Sequence, residues 1–325
     1  MKIHAVSIIS PQKAAIVEKI LPKPGVGDVR GETLCSLVSP GTELAGDYLG
    51  TDFPKFPGYA AVMRATEVGD EVENISIGDI LFCPGPHQSI QQLAASRVVR
   101  LPEGLTPETA VLARLMGVSL TTLMTTTARP GDLVLVVGAG PVGFLAAQNF
   151  LLAGYDVRVV EIDEIRRNLA AASGVTAVYA EMPMDDPSVK GRVALVLECS
   201  GHETTVGQAC QIVRRRGEVV LVGVPWKRRA DLQAFEVISA VFLNYAVLRS
   251  GWEWELPWDT DAKYQPWSVM DGFARCLGWL AEGRVNCEGL VNCWVPNQCG
   301  ELYESLRASK CAGLFQVFDW RLQNQ

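Results

Sequence analysis

The sequence predicts an α/β chain in two parts, a β-rich part and a doubly wound parallel sheet. Three observations carry this. Up to residue 110 or so, short apolar runs are separated by Gly- and Pro-rich punctuation about every eight to twelve residues, as in a β barrel or sandwich. Beyond it, apolar strands alternate with helical patterns across short loops, which implies a parallel sheet covered on both faces. At 325 residues the chain also exceeds what one simple core requires.

The β-rich part is written as "HAVSIIS", "AAIVEKI", "ETLCSLV", "AAVMRATEVG", "DILFCPG" and "SRVVRLP". A Thr-Pro start and apolar residues at helical spacing make "TPETAVLARLMGVSLTTLMTT" a helix. "DLVLVVG" is a fully apolar strand, and "PVGFLAAQNFLLAG" a helix closed by Gly154. Strand "DVRVVEID", helix "EIRRNLAAASG", strand "ALVLECSG", helix "ETTVGQACQIVRRRG" and strand "EVVLVGVP" follow. A Trp-rich segment comes after residue 250, then the helix "MDGFARCLGWLAEG". From about residue 285 the chain returns to short β-like pieces and one helix, "GELYESLRASK". The expected boundaries are 1–113 with 285–325 for the β-rich part and 114–284 for the parallel sheet.

Net charge is −7 and the pI about 5.2. An acidic surface argues against nucleic acid and anionic membrane as partners and leaves a small molecule as the expected one. No run approaches the roughly 18–20 apolar residues of a membrane span. The start "MKIHAVSIISPQKA" has no apolar stretch long enough for a signal peptide. Nine scattered cysteines therefore read as free thiols in a reducing, cytoplasmic setting. Cys287, Cys293, Cys299 and Cys311 lack the tight pairing of structural zinc sites and are expected to be buried structural residues.

"VLVVGAGPVGFLAAQ" carries a G-x-G-x-x-G pattern directly between an apolar strand and a helix, the setting that makes it specific for a dinucleotide. Gly138 permits the tight turn, Gly140 admits the pyrophosphate, and Gly143 lets helix and strand pack closely, with Pro141 and Val142 opening the helix. Phosphates then meet free N–H groups at the helix N-terminus. The next strand ends in Glu161, with Asp163 two residues on, as the acid that grips a ribose. A carboxylate there accepts from ribose hydroxyls and repels a 2′-phosphate, so NAD is preferred. NADP is the alternative if Arg166 or Arg167 reaches that phosphate. Ser200, Gly223 and Ser250 follow later strands and are assigned as further cofactor contacts.

"LVSPGTEL" is a corner: Pro40-Gly41 turns the chain and brings Ser39, Thr42 and Glu43 together. Turn chemistry alone accounts for Ser39 and Thr42 locally. His titrates nearest neutrality, and the chain has three. His4 lies in the first strand, and His202 follows "ECSG". His87 lies in a Gly-Pro-rich loop, where contact with substrate competes with loop capping.

The β-rich start, the dinucleotide fold and the β-rich tail resemble the medium-chain dehydrogenase/reductase superfamily over nearly the whole chain. The resemblance implies a GroES-like catalytic domain plus a Rossmann domain. It also places Pro40, Tyr59 with Ala60, and Ala113 with Arg114 where zinc alcohol dehydrogenases carry metal ligands. None of these supplies a thiolate, imidazole or carboxylate. The four-cysteine zinc lobe is absent as well, so no metal is expected. S-P-G-T-E, P-G-Y and Gly85-Pro86-His87 together resemble a zinc-lacking branch named after hydroxyethyl bacteriochlorophyllide dehydrogenases. In the zinc relatives the hydroxyl at the Thr42 position relays the substrate proton. The resemblance thus implies Thr42, Tyr59 and His87 as catalytic groups, with Glu43 holding the corner. Trp252, Trp254, Trp258 and Trp267 suit either a homodimer contact or a lid over a planar substrate. Three functions stay open: hydride transfer at an alcohol or carbonyl carbon, reduction of an activated C=C bond, and nucleotide binding without turnover.

Overall fold

The structure is a computed structural model that describes residues 1–259 and 267–324. Part of the Trp-rich segment, residues 260–266, lies outside the described residues. The chain divides into two compact units. The first comprises Met1–Arg114, Phe273–Gly283 and the chain from Cys287 onward; the second comprises Leu115–Gly272 and Arg284–Asn286. The expected boundary at 284 therefore differs over Phe273–Gly283, the larger part of the helix Val269–Ala281.

The first unit is built on the strand Asp28–Val38. It pairs antiparallel with Ala61–Val68, Ile90–Ala94 and Phe315–Asp319 within a seven-stranded sheet. Residues 33 to 38 are buried without a break, so this strand is covered on both faces where it reaches the corner. Lys2–Ser10 and Lys13–Ile20 form a separate hairpin. Its Val6 and Ile8 share a core with Val38, Tyr48, Phe318, and Leu302 and Tyr303 of the helix Cys299–Arg307. Late and early parts of the chain thus close on the same point.

The corner itself corrects the expectation of a simple reverse turn. Ser39 is extended, Pro40–Thr42 is one helical turn, and Glu43–Tyr48 continues as a π-helical turn. Proline suits the first helical position, where its missing N–H would have had no intrahelical partner. Glu43 N–H closes the turn on the Ser39 carbonyl at 2.9 Å.

The second unit is a six-stranded parallel sheet in the order 177–179, 156–160, 133–137, 193–198, 213–221, 247–250. Alternate residues of Leu133–Val137 enter opposite cores: Val134 and Val136 on one face, Leu133, Leu135 and Val137 on the other. That explains the unbroken apolar run. Several details differ from the expectation. The helix from Thr106 is interrupted after Ala110 and resumes at Ala113. The segment "VRRRG" is strand, because Val213 pairs with Val193 and Arg216 takes a left-handed φ of 63°. The short strand Ala177–Tyr179 and the helix Ala234–Asn244 were not expected at all.

That helix leaves Phe235, Ile238 and Phe242 each about two-thirds or more exposed, beside the edge strand Val247–Ser250. Cys299 is buried as expected, but Cys287 and Cys311 are half-buried and Cys293, on an edge strand, is exposed. Among the described residues no helix is long and apolar enough to cross a membrane.

Candidate active site and dinucleotide loop

The corner is fixed by a buried carboxylate. Glu43 has no exposed surface, and its Oε1 accepts the Ser39 N–H at 2.7 Å. Its Oε2 accepts the Tyr303 hydroxyl at 2.6 Å and lies 3.0 Å from His87 Nε2. His87 Nδ1 is 2.7 Å from Ser36 Oγ, which also accepts the Trp320 indole N–H at 2.9 Å. A neutral imidazole carrying its proton on Nε2 satisfies this chain: it donates to Glu43 and accepts from the Ser36 hydroxyl. The His87 ring stands edge-on to Phe318 at 5.0 Å. Burial, with the Glu43 charge beside it, pushes the Tyr303 hydroxyl well above the ordinary tyrosine range, so it remains a donor.

His87 is thereby corrected as a substrate contact. It has no exposed surface, and both ring nitrogens are engaged inside the unit. The P-G-Y and G-P-H pieces explain one another. Gly58 has φ of 97°, and a Cβ there would lie 2.7 Å from His87 N and 2.8 Å from its ring. Only glycine admits the ring at that distance.

Thr42 and Tyr59 are arranged differently. Both are partly exposed, and the Tyr59 hydroxyl approaches Thr42 Oγ1 at 3.5 Å. That is the outer limit of a hydrogen bond, so both hydroxyls keep capacity for a third oxygen. The Arg114 guanidinium lies 4.5 Å from the centre of the Tyr59 ring. Pro40, Tyr59, Ala60, Ala113 and Arg114 do not fit a zinc ion: proline and alanine carry no donor, and a permanent guanidinium charge on that ring opposes a dication. Among the described residues no group of three or more His, Cys, Asp or Glu is placed to hold a metal. A groove of about 500 Å³ in this unit, lined by Arg64, Asp79, Arg100, Pro102, Arg321 and others, includes none of the corner residues.

In the second unit the Gly-rich loop has the form a dinucleotide needs. Gly138 adopts φ of 90°, and Gly140 precedes the 12-residue helix Pro141–Leu152. A Cβ on Gly143 would lie 1.8 Å from the Gly138 carbonyl oxygen, so any side chain there would part strand from helix. Glu161 is buried, its Oε2 accepting Ala139 N–H at 2.6 Å and its Oε1 accepting Asp163 N–H at 2.9 Å. Each oxygen keeps lone-pair capacity for a hydroxyl.

Asp163 is not a second ribose acid in this arrangement. The strand ends at Val160, and Asp163 caps the next helix by accepting Arg166 N–H at 2.9 Å. Arg167 Nη1 donates to the carbonyls of Glu161 and Ile162, whereas an Arg166 guanidinium nitrogen comes within 3.8 Å of the space above Gly140. Ser200, Gly223 and Ser250 all lie at carboxyl ends of parallel strands, where open α/β sheets bind ligands. Ser200 N–H donates to the buried Glu198 carboxylate at 3.1 Å, and Gly223 N–H donates to the Glu198 carbonyl. His202 caps the helix Glu203–Ile212.

The residues that sequence reasoning missed are Ser36, Tyr303 and Trp320. Tyr303 meets Glu43 across 260 positions, and no local pattern announces it.

Comparison with known proteins finds relatives named as zinc-binding and alcohol dehydrogenases. The family model for zinc-binding dehydrogenases matches residues 141–250. An alcohol dehydrogenase of Geobacillus stearothermophilus is 26% identical over 271 residues, covering 70% of this chain and 78% of its own. A 2-dehydro-3-deoxy-L-galactonate 5-dehydrogenase of Pseudoalteromonas atlantica is 29% identical, over 43% of each chain. The structure of acetophenone reductase from Geotrichum candidum, in complex with NAD, superposes with a TM-score of 0.80 at 15% identity, covering 98% of this chain and 97% of that one. The fold is that of the medium-chain dehydrogenases. The named relatives are dehydrogenases, and two of the similar solved structures were determined with NAD or NADP bound.

The buried carboxylate sets a stability prediction. Glu43→Gln removes the charge that three donors address and should lower the unfolding free energy by about 2–4 kcal/mol. Denaturant unfolding measures this, and an unchanged midpoint would remove Glu43 from the role.

Proposed function

We propose that this chain is an NAD(P)-dependent oxidoreductase that moves hydride between nicotinamide and an alcohol or carbonyl carbon without a zinc ion. The observation that carries the reading is which polar groups of the corner remain accessible. Glu43 and His87 face inward, while Thr42 and Tyr59 stay partly exposed as a hydroxyl pair 3.5 Å apart. The cofactor supplies or accepts the hydride, and the protein's own groups must handle the proton. A substrate oxygen that accepts from both hydroxyls gains the charge stabilisation a metal would otherwise provide. Tyr59 gives or takes the proton, and Thr42 orients the oxygen. The contact between Gly58 and His87 ties the P-G-Y and G-P-H pieces into one unit, which supports the zinc-lacking branch. Free cysteines throughout the described chain favour a reducing, cytoplasmic setting.

Thr42→Val, nearly isosteric, should lower turnover roughly 10²-fold or more while NADH affinity holds. The same protein should contain well under one zinc per chain by elemental analysis. Full turnover in the variant, or one tightly held zinc in the wild type, would sink the reading.

NAD(H) is the preferred cofactor, because the Glu161 carboxylate repels a 2′-phosphate and Arg167 is occupied by backbone carbonyls. Glu161→Ala should weaken NADH binding about 10- to 100-fold, in line with lost charged hydrogen bonds. NADPH binding should fall less than NADH binding, so that the gap between the two cofactors narrows. A wild type that binds NADPH more tightly than NADH contradicts this assignment.

The working form is a homodimer joined through Phe235, Ile238 and Phe242 and the adjoining edge strand, an exposed apolar face of a kind that marks interfaces. Phe242→Asp should convert the dimer to monomer in light scattering. A wild type that is already monomeric at assay concentration would refute it.

A further inference from the structure

The turn that carries Thr42 has little of its own to hold it. Pro40–Thr42 is one helical turn and Glu43–Tyr48 a π turn, and neither Ser39 nor Thr42, at their starts, caps with its side chain. Serine and threonine at such positions ordinarily do. Gly46 weakens any helical turn. Glu43 and Asp47 also place two acids on this short segment: burial first, and then the Glu43 charge, push the Asp47 carboxyl above its ordinary range, and Lys55 and His87 pull it back. π turns are rare and frequently mark functional sites. Contacts from elsewhere in the unit must hold this one.

Tyr303, on the helix Cys299–Arg307, reaches both ends of it. Its ring stacks on Tyr48, the last residue of the π turn, with 5.3 Å between ring centres and 18° between planes. Its hydroxyl donates to Glu43, the first residue, at 2.6 Å. Both tyrosines are buried. Between the two ends, Lys55 Nζ donates to the Gly46 carbonyl at 2.5 Å.

We propose that Tyr303 is a positioning residue for the reaction: by gripping Glu43 and Tyr48 together, it fixes the turn from which Thr42 meets Tyr59. The inference rests on the hydride-transfer reading above. Thr42 directly precedes Glu43, and its hydroxyl stands 3.5 Å from that of Tyr59, the outer limit of a hydrogen bond. A small rotation of the turn therefore decides whether one substrate oxygen can accept from both. Tyr303 has no exposed surface and acts through Glu43 rather than on the substrate.

The test is Tyr303→Phe, which keeps the ring against Tyr48 and removes the bond to Glu43. Without any ligand, amide exchange read by mass spectrometry should quicken about 10-fold or more across residues 39–48 and stay unchanged in the strand Ala61–Val68. Turnover, followed as NADH oxidation with a panel of aliphatic and aromatic ketones and aldehydes, should fall about 10- to 100-fold, the scale of a slight misplacement. The KM of the carbonyl probe should change less than kcat. NADH affinity should hold, because the Gly-rich loop belongs to the other unit. In a Thr42→Val background Tyr303→Phe should cost little more, since both act on the same hydroxyl. Should Tyr303→Phe fold poorly, Tyr48→Leu removes the other end of the grip and repeats both measurements. A folded variant with unchanged exchange at 39–48, or with wild-type turnover, overturns the proposal. So does an equal loss in both backgrounds, which a merely structural role predicts. Full turnover in Thr42→Val, or none with any probe, tells against the hydride-transfer reading instead, and exchange alone then judges the hold of Tyr303 on the turn.

Discussion

The buried Glu43 carboxylate is the constraint on which the corner depends. A desolvated charge costs several kcal/mol unless hydrogen bonds replace its water. Here a backbone N–H, a phenol and an imidazole do so. Those donors come from the corner itself, from the late helix Cys299–Arg307 and from the loop before Ile90. The carboxylate therefore joins three distant stretches of chain. Successive residues of a helical turn point about 100° apart. With Glu43 held inward, Thr42 cannot follow it and is left partly exposed. The order Thr42-Glu43 divides one turn into a partly exposed hydroxyl residue and an inward anchor.

The anchor has an electrostatic consequence. Burial first, and then the Glu43 charge, disfavour a Tyr59 phenolate. The Arg114 guanidinium, 4.5 Å from the Tyr59 ring centre, acts in the opposite sense. A zinc ion would supply more charge but needs soft or anionic ligands, which Pro40, Tyr59 and Ala113 do not provide.

Much of the architecture was legible in the sequence because its signals are local. Leu133–Val137 reads as a buried strand since both its faces enter cores, and Gly138, Gly140 and Gly143 read as a phosphate loop since each answers a backbone demand. The helix Ala234–Asn244 was not legible. Phe235, Ile238 and Phe242 are exposed, so its apolar residues do not trace a buried stripe against polar neighbours. "VRRRG" looked helical by composition, yet its pairing with a strand some twenty positions away decided its conformation. His87 departs from its sequence expectation for a related reason. A Gly-Pro-rich loop normally faces water, and what buries this one is contact with Ser36 and Glu43, 51 and 44 positions away.

The same device recurs outside the corner. Glu161 accepts N–H groups of Ala139 and Asp163, Glu198 those of Ser200 and Gly201, and Glu218 that of Thr127. In each case a buried carboxylate satisfies backbone donors that a turn leaves without partners, and a charged acceptor does this more strongly than a neutral one. For Glu198 and Glu218 the result is structural, because hydroxyls and Arg249 engage the rest of the carboxylate. Glu161 differs. Its donors Ala139 N–H and Asp163 N–H are both backbone groups, one in the Gly-rich loop and one in the following turn. It fixes the Gly-rich loop and keeps lone-pair capacity for a further donor, so the loop is shaped without any ligand. Little ordering is then left to pay for on binding, which is how a preorganised site gains affinity.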